Sequence, residues 1–394
     1  MKPLAHIQDF SLYCSLGQEK SLVSRKLMSG DVGSLTPFDG LISGHSTVVG
    51  KISDRLPPLP KSLGMFETRN CRLLYATYKN LQPSIEKAAN QYGRHRIAVV
   101  LGSSTAGIAE GEQALAKKER TGKFPQDYNY VKQELGSVSD FICELADVCG
   151  PSYTISTACT SSAKVFVSAA RLLAADLCDA VIVGGADTLC NLTLNGFDSL
   201  EAISQDRSNP FSENRKGINI GEASALMLLT RDPGPIQLLG VGESSDAHHI
   251  SAPDPDGLGA ERAIRDALNS AGLAPEDIGY INLHGTGTDK NDAMESKVIA
   301  RIFGDQVPCS STKPLTGHTL GAAGALELAF CCLTLTQPPD IKFVPPHIWD
   351  GASDPMLDEI QLAKPTQTLE KNVCMSNNFA FGGSNVSLII GTEN

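Results

Sequence analysis

A cysteine and two histidines, the residue types of nucleophilic catalysis, each stand in a turn built from small residues. Cys159 lies in residues 155–163, where a strand-like stretch leads through a tight turn into an Ala-rich helix. The free N–H groups and partial positive charge of a helix N-terminus lower the pKa of a nearby thiol. Cys159 is therefore a candidate nucleophile on a strand-to-helix turn. The competing interpretation is a small cysteine that only fills the core.

The two histidines stand at turns of their own. His284 follows the apolar stretch 280–283 and opens a loop of glycine and threonine. Loops at the carboxyl ends of parallel strands are where α/β proteins bind ligands. His318 precedes a helix whose first turns carry few side chains, so a neighbour or a ligand can approach its backbone. For His284, a histidine satisfied by the backbone of its own turn is the alternative.

Two further segments carry groups that a catalytic site needs. Glu327 lies in an otherwise apolar helix, where an unpaired carboxylate is unfavourable, so Lys313 or another polar group is its expected partner. Residues 377–385 predict a strand that runs into a glycine turn around Phe381 and Gly382. The backbone N–H groups of such a turn can form an oxyanion hole, although a plain glycine turn is the other interpretation.

Short apolar runs alternate with helix-like segments along the chain, which predicts an α/β protein with largely parallel sheets. Strands are predicted at 96–101, 180–183, 223–229 and 280–283, and Ala-rich helices at 164–175 and 321–335. Residues 111–136 are polar and are predicted to form a surface excursion.

The chain divides into two halves of similar plan. The sequence Asp-Pro-Gly-Pro at 232–235 is a boundary signal, which separates residues 1–232 from 233–394. Three pairs of segments match in the same order, which indicates an ancient duplication. The pairs are 98–104 with 281–287, 155–175 with 309–332, and 179–187 with 373–383.

Composition excludes several classes of function. The formal net charge is −11, from 33 basic and 44 acidic residues, and so opposes general binding of nucleic acid. No apolar run reaches the roughly 18 residues of a membrane span, and the N-terminus is not that of a secretory signal, so we expect a cytoplasmic protein. The eleven cysteines have no metal-like spacing; ten of them are expected to be reduced, buried thiols, and no metal is expected.

Together these segments resemble the beta-ketoacyl-acyl-carrier-protein synthases, and more narrowly the synthase I and II branch of the thiolase superfamily. The resemblance covers nearly the whole chain, and is weakest before residue 95. It is carried by the TAC turn at Cys159, VGGAD (183–187), SSDAHHISAPDPDG (244–257), HGTGT (284–288), KPLTGHTLGAAG (313–324) and FAFGGSN (379–385).

The resemblance implies a thiolase fold of five layers, αβαβα, built from two duplicated halves with mixed, largely parallel sheets. Residues 1–232 would carry the nucleophile, and residues 233–394 would carry both histidines and the gating loop. It also implies a decarboxylative Claisen condensation, in which an acyl thioester on Cys159 reacts with malonyl-carrier protein and gains two carbons. No diffusible cofactor is implied, because the phosphopantetheine arm of the carrier brings both substrates.

The family's motifs assign roles to individual residues. His284 and His318 would stabilise the enolate of the malonyl group. Lys313 and Glu327 match the electrostatic pair around the second histidine. The backbone N–H groups of Cys159 and Phe381 would form the oxyanion hole, with Phe381 and Gly382 in the gate. Thr286, Thr288 and Ser251 match the positions that contact the phosphopantetheine arm.

The expected partners are an acyl carrier protein and a second subunit, which gives either a homodimer or a heterodimer with a chain-length factor. Two basic groups are candidate docking sites for the acidic carrier, although scattered solvated lysines are the alternative. The first group is Lys61, Arg69 and Arg72, and the second is Lys117, Lys118, Arg120 and Lys123.

Two other functions and the pathway stay open at this stage. The alternatives are a non-catalytic partner subunit like a chain-length factor, and a thiolase-type acyltransferase. Ala380 and Thr105, the latter expected near the acyl tunnel, depart from the usual family pattern. These departures leave the substrate open between fatty acid synthesis and a related polyene or polyketide pathway.

Overall fold

Twelve strands and ten α-helices follow one another along residues 3–393, the part of the chain that the computed structural model describes. The strands are β1 (Ala5–Tyr13), β2 (Thr36–Phe38), β3 (Thr47–Val49), β4 (Ile97–Gly102), β5 (Ser152–Ile155), β6 (Ala180–Asp187), β7 (Ala223–Thr230), β8 (Ile236–Ser245), β9 (Tyr280–Asn282), β10 (Cys309–Ser310), β11 (Val373–Ala380) and β12 (Ser384–Gly391). The helices are α1 (Lys20–Ser29), α2 (Arg69–Tyr92), α3 (Ile108–Thr121), α4 (Ser137–Ala146), α5 (Ser161–Ala174), α6 (Asn191–Ser199), α7 (Leu258–Ala271), α8 (Asp289–Phe303), α9 (Lys313–Thr316) and α10 (Ala323–Leu335).

Ten of the strands are hydrogen-bonded in the order β10-β9-β11-β12-β8-β1-β7-β6-β4-β5. The ten strands form two sets of five, β1 with β4–β7 and β8–β12. Each set, followed from the outer edge of the sheet inward, has the same order: the third of its strands in the chain, then the second, the fourth, the fifth and the first. In each set four strands share one direction, and only β7 or β12 is reversed. This repeated order agrees with the predicted duplication and with largely parallel sheets.

The two five-strand sets meet only where β1 pairs with β8, over three residue pairs between Ala5–Ile7 and Ile236–Leu238. Helices α5 and α10 pack between the sets and share one apolar core with both inner faces. Helices α2 and α4 cover the outer face of the first set, and α7 and α8 cover that of the second. The predicted five layers, αβαβα, are therefore confirmed.

Apart from Glu327 and Thr334, the central helix α10 is apolar around its whole circumference, and every residue of it is buried. A helix of this kind belongs in an interior layer, because no face of it suits water. One 3₁₀ turn, Leu320–Ala322, precedes it, so the regular helix begins two residues later than the sequence predicted. Helix α5 begins three residues earlier than predicted, at Ser161, directly after the turn that carries Cys159.

The cysteines differ in part from the expectation. All eleven are free thiols, but Cys149 is exposed and Cys143 is half-buried, so eight rather than ten of the presumed structural cysteines are buried. The polar segment 111–136 is largely exposed, as predicted, although much of it belongs to α3. Within residues 3–393, no helix has both the length and the apolar character to cross a bilayer.

Candidate active site

Cys159 lies on a sharp turn between β5, which ends at Ile155, and α5. Ala158 has φ of +51°, a left-handed conformation that is strained for a residue with a Cβ. Its carbonyl oxygen accepts hydrogen bonds from the Ser161 N–H (3.1 Å), the Ser161 hydroxyl (2.6 Å) and the Ser104 hydroxyl (3.1 Å). These three bonds hold the strained turn, and the Cys159 side chain lines a cavity.

His318 brings its imidazole to this thiol, although 159 residues separate the two in sequence. The distance from His318 Nε2 to Cys159 Sγ is 3.0 Å. The His318 backbone is fixed against a neighbouring segment, since its N–H donates to the Asn219 carbonyl (2.6 Å) and its carbonyl accepts from Gly221 (2.9 Å). This close approach requires glycine, because a Cβ at position 221 would lie 2.2 Å from the Thr316 carbonyl oxygen.

His284 stands beside His318, with the two rings edge to face and their centroids 5.4 Å apart. Its loop is held by a carboxylate: Glu295 accepts the His284 N–H and the Gly285 N–H, each at 2.7 Å. Asp292 accepts the Gly287 N–H at 3.2 Å in the same way. The loop therefore gets its shape from two buried acids of α8 rather than from its own turn.

Lys313 and Glu327 form the pair that the sequence predicted, with Nζ and Oε1 2.5 Å apart and both side chains almost fully buried. Lys313 Nζ also donates to the His284 carbonyl at 2.5 Å. The other oxygen of Glu327 accepts from Asn378 Nδ2 at 2.8 Å. The pair thus connects α10, the His284 loop and β11 through hydrogen bonds.

Burial controls the protonation of these groups. It raises the pKa of Cys159 to about 12, although the charge of Lys313 acts in the opposite direction. Burial, with Lys313, also holds the pKa of His284 and of His318 well below the usual 6.5. The resting site therefore contains a neutral thiol and neutral imidazoles. Desolvation thus acts on the Cys159 pKa against the lowering that is expected from the helix N-terminus.

A cavity of about 630 Å³ opens in front of Cys159, His284 and His318. Its wall includes the three residues expected at the phosphopantetheine arm, Thr286, Thr288 and Ser251. The hydroxyls of the two threonines lie 2.9 Å apart. The structure therefore brings all of the predicted arm residues to the same cavity as the nucleophile.

The loop that is predicted to act as a gate lies at the edge of this cavity. Phe381 is 37% exposed, and its ring centroid is 5.6 Å from that of Phe197 on α6. Gly382 donates its N–H to the Ile250 carbonyl at 2.8 Å and has a left-handed φ of +83°. A hydrogen bond of 2.9 Å from Thr160 to Ser384 places the loop beside the nucleophile turn. Ala380, at the end of β11, also lines the cavity.

Three buried acids of the site were missed by the sequence reasoning: Glu295, Asp292 and Asp187. Burial raises the pKa of Glu295 to about 7 and that of Asp292 to about 6. Asp187 accepts hydrogen bonds from the turn that borders the nucleophile, including those from the Ser103 hydroxyl (2.7 Å) and the Thr105 hydroxyl (2.8 Å). A signal existed for two of them, since Asp292 and Glu295 lie one helical turn apart just after the histidine loop.

Thr105 itself is almost fully buried, and its hydroxyl is directed at Asp187. It is not among the residues that line the cavity described above. The departure from the family pattern at this position therefore completes a hydrogen-bond network around the carboxylate.

The two candidate basic groups differ in their surroundings. In the first, Arg69 bonds the buried carboxylate of Glu222, and Arg72 bonds Glu67. In the second, all four side chains are exposed on or just after α3, and none forms an ion pair with another residue of 3–393. Lys118 only lies over the Phe124 ring, at 4.5 Å from its centroid. The second group is thus the one whose charge is free for a partner.

Comparison with known proteins identifies relatives along most of the chain. Residues 68–233 match the model of the beta-ketoacyl synthase N-terminal domain, and residues 236–348 match that of the C-terminal domain. The 3-oxoacyl-[acyl-carrier-protein] synthase 2 of Vibrio cholerae is 34% identical over 327 residues, which cover 76% of this chain and 77% of the relative. The synthase 2 of Coxiella burnetii is 29% identical over 95% of both chains.

A solved structure is more similar still. A chain of the solved complex of the ketosynthase ApeO with its chain length factor ApeC, from Xenorhabdus doucetiae, is 46% identical and superposes with a TM-score of 0.95. The match covers 99% of this chain and 98% of that chain.

Proposed function

The chain belongs to the beta-ketoacyl synthase family, and from that premise we propose that it is a beta-ketoacyl-[acyl-carrier-protein] synthase of fatty acid or related polyketide synthesis. The observation that carries the proposal is the contact of 3.0 Å between Cys159 Sγ and His318 Nε2, with His284 beside them at the wall of one cavity. A nucleophile within reach of a base and two adjacent imidazole donors are what acyl transfer followed by enolate chemistry requires.

The first half-reaction loads the enzyme. Cys159 Sγ attacks the carbonyl carbon of an acyl-carrier thioester, and its proton passes to His318 Nε2. The negative charge on the carbonyl oxygen is stabilised by the backbone N–H groups of Cys159 and Phe381. The carbon–sulfur bond to the carrier then breaks, the carrier thiol takes the proton, and the acyl group remains on Cys159.

The second half-reaction makes the new carbon–carbon bond. A malonyl-carrier protein enters, its bond to the carboxylate breaks, and carbon dioxide leaves with the electron pair retained as an enolate. His284 and His318, which burial keeps neutral, donate hydrogen bonds to the enolate oxygen. The enolate carbon attacks the acyl carbonyl and expels Cys159, which regains a proton. The product is a beta-ketoacyl chain that is two carbons longer.

Both alternative functions have less support. A thiolase-type enzyme needs a second reactive cysteine, but Cys159 is the one cysteine that lines the cavity formed by the described residues, and Cys374 is fully buried in β11. A non-catalytic partner subunit has no need for a thiol that is held in contact with an imidazole.

The nucleophile is tested by mass. After incubation with an acyl-carrier protein, the wild-type protein is expected to gain the mass of one acyl group, and Cys159→Ala is expected to gain none. Cys149→Ser is the matched control, because it removes an exposed thiol outside the cavity and leaves the adduct in place. An adduct that survives in Cys159→Ala would remove Cys159 from this role.

The histidine role is tested separately from loading. His284→Ala removes an enolate donor but leaves the base of loading in place, so it is expected to lose decarboxylation of malonyl-carrier protein while it still accepts an acyl group. Carbon dioxide release and acyl loading are measured on the same preparation. Decarboxylation at the wild-type rate in this variant would contradict the assignment.

For the second subunit, we propose a chain-length factor. The support is the 46% identical chain, which belongs to a solved complex of a ketosynthase with its chain length factor. Strand β5 ends the row of strands and pairs on one side only, with β4, so its other edge can extend the sheet into a second subunit. Co-expression with the partner is expected to give a stable 1:1 complex, whereas a homodimer with full condensing activity on its own would favour the other arrangement.

For carrier docking, we propose the exposed basic group at the end of α3. Charge reversal of Lys117, Lys118 and Arg120 is expected to raise the apparent KM for the carrier substrate, with less effect at high salt. Lys87→Glu on α2, compared with Lys118→Glu alone, is the control for net charge, because each single reversal changes the net charge equally. An equal rise in KM for the control would refute docking at α3.

A further inference from the structure

The three catalytic side chains also have the composition and spacing of a soft-metal site. Cys159 Sγ and one ring nitrogen from each of His284 and His318 all lie within 4.8 Å of one another. Zinc binds thiolate sulfur and imidazole nitrogen at about 2.0–2.3 Å, which places tetrahedral ligand atoms roughly 3.3–3.7 Å apart. Side-chain movements of about 1 Å reach that spacing, and rotation about the χ angles supplies them.

We propose that Cys159, His284 and His318 bind Zn²⁺ when the enzyme carries no acyl group, and that the bound ion blocks loading. Water from the cavity supplies the fourth ligand, as in zinc sites with three protein ligands. The thiol proton leaves to solvent as the sulfur–zinc bond forms, and no electron transfer is involved. Two imidazoles and one thiolate form a donor set that selects zinc over magnesium or calcium.

The ring nitrogens are free to bind. Neither His284 nor His318 forms an ion pair with a carboxylate within residues 3–393. The Nδ1 atom of each ring has no hydrogen-bond partner among the residues that the structure describes. The His318 Nε2 atom contacts only the thiol that would become its fellow ligand. Binding therefore breaks few existing interactions.

The charges around the site also permit a cation. Lys313 is the nearby ammonium, and Glu327 lies 2.5 Å from it, so its charge is neutralised within the protein. Asp187 is buried close enough to act on Cys159, and it forms no ion pair with any residue of the described part of the chain. The charge of Asp187 therefore favours a positive ion beside the sulfur, whereas Lys313 opposes one and Glu327 reduces that opposition.

The path of the ion through the cavity and the positions of the other cysteines both favour binding at the same three atoms. The cavity of about 630 Å³ connects them to solvent past Phe381, which is partly exposed. Of the other ten cysteines, only Cys149 is exposed, and none lines this cavity. An ion that enters the cavity therefore meets one thiol only.

The experiment uses the full chain, together with its partner subunit if the two purify as a complex. It measures metal binding and does not depend on acyl transfer. Co²⁺ replaces Zn²⁺ as a spectroscopic probe. In a second measurement, the rate of Cys159 alkylation by iodoacetamide is followed at increasing Zn²⁺ concentration. We expect one equivalent of Co²⁺ to give the bands of a tetrahedral thiolate site, and Zn²⁺ to protect Cys159 from alkylation. Because removal of even a supporting group costs 10–100-fold in metal affinity, loss of a ligand in Cys159→Ser or His284→Asn is expected to weaken binding by about 100-fold or more.

Cys149→Ser is the matched control and should bind Zn²⁺ like the wild type. The proposal is overturned if Zn²⁺ leaves the alkylation rate unchanged, if the cobalt spectrum lacks a sulfur ligand, or if Cys149→Ser removes the effect. Failure of acyl loading with intact metal binding would instead count against the proposed function alone. Acyl loading from an acyl-carrier protein is expected to stop when Zn²⁺ is bound and to return when a chelator is added, and loading at the metal-free rate with Zn²⁺ bound would overturn the proposed block.

Discussion

The Lys313–Glu327 pair allows a quantitative prediction, because both partners are almost completely buried and only 2.5 Å apart. Lys313→Met leaves the Glu327 carboxylate without its cation. Removal of one partner from a buried pair costs about 3–5 kcal/mol. Alternatively, the unpaired Glu327 takes up a proton in the folded state. Protonation of a carboxyl of ordinary pKa near 4.3 at pH 7 costs about 3.7 kcal/mol, which lies within the same range.

The proton on Glu327 also determines how the stability of the Lys313→Met variant changes with pH. In Lys313→Met the folded protein keeps Glu327 protonated, because burial already raises its pKa, whereas the unfolded chain releases that proton above roughly pH 4.3. The folded state then binds more protons, so the stability of the variant relative to wild type falls as the pH rises. The loss should be about 3–5 kcal/mol at pH 7 and about 1 kcal/mol at pH 5.

Urea denaturation at a fixed protein concentration measures both values. The matched variant is Lys313→Met with Glu327→Gln, which removes both charges and keeps an acceptor for Asn378. We expect this double variant to recover about 2 kcal/mol or more of the loss at pH 7, and to show no extra pH dependence. Additive effects of the two substitutions, or a loss in Lys313→Met that is equal at pH 5 and pH 7, would refute the reasoning.

Three other changes test the surroundings of the nucleophile. Because burial raises the pKa of Cys159 to about 12, the rate of its alkylation should still rise with pH above pH 9, and a plateau below pH 8 would contradict a neutral resting thiol. Gly221→Ala should slow acyl loading and lower the midpoint of urea denaturation, because its Cβ would collide with a backbone carbonyl, whereas Gly196→Ala, with open space around it, should raise that midpoint. Glu295→Gln replaces one of two acceptor oxygens with a donor, which should cost about 2–3 kcal/mol and lower decarboxylation more than loading; equal losses in both would indicate a general folding defect.

The sequence predicted the parts of the site that depend on local chemistry. Cys159 and His284 were placed correctly at turns because small residues and the ends of apolar runs mark such turns. The partnership of Glu327 with Lys313 followed from the cost of a lone carboxylate in an apolar helix. Each of these inferences needed only a few neighbouring residues and one physical rule.

The contact between Cys159 and His318 could not be derived in that way. It depends on α5 and α10 lying side by side between the two sets of strands, and no local pattern states that distance. The resemblance to a family assigned both residues to one reaction, but it did not place them in contact. The effect of burial on the Cys159 pKa could not be predicted for a related reason, because the degree of burial is a property of the assembled layers.

Glu295 and Asp292 were missed for a different reason. Charged residues on a helix ordinarily face water, and α8 carries several that do. These two face inward, because the His284 loop needs acceptors for its backbone N–H groups and turns them toward the helix. The unsatisfied donors of a loop are therefore a better guide to such acids than the periodicity of the helix.

The neutral resting state limits how the nucleophile can be activated. Burial raises the pKa of Cys159 to about 12 and lowers the pKa of His318 well below 6.5, so both shifts disfavour transfer of the thiol proton before attack. We therefore expect proton transfer to accompany the attack, when the negative charge moves from sulfur to the carbonyl oxygen. The backbone donors at that oxygen therefore lower the barrier to deprotonation as well as the barrier to addition.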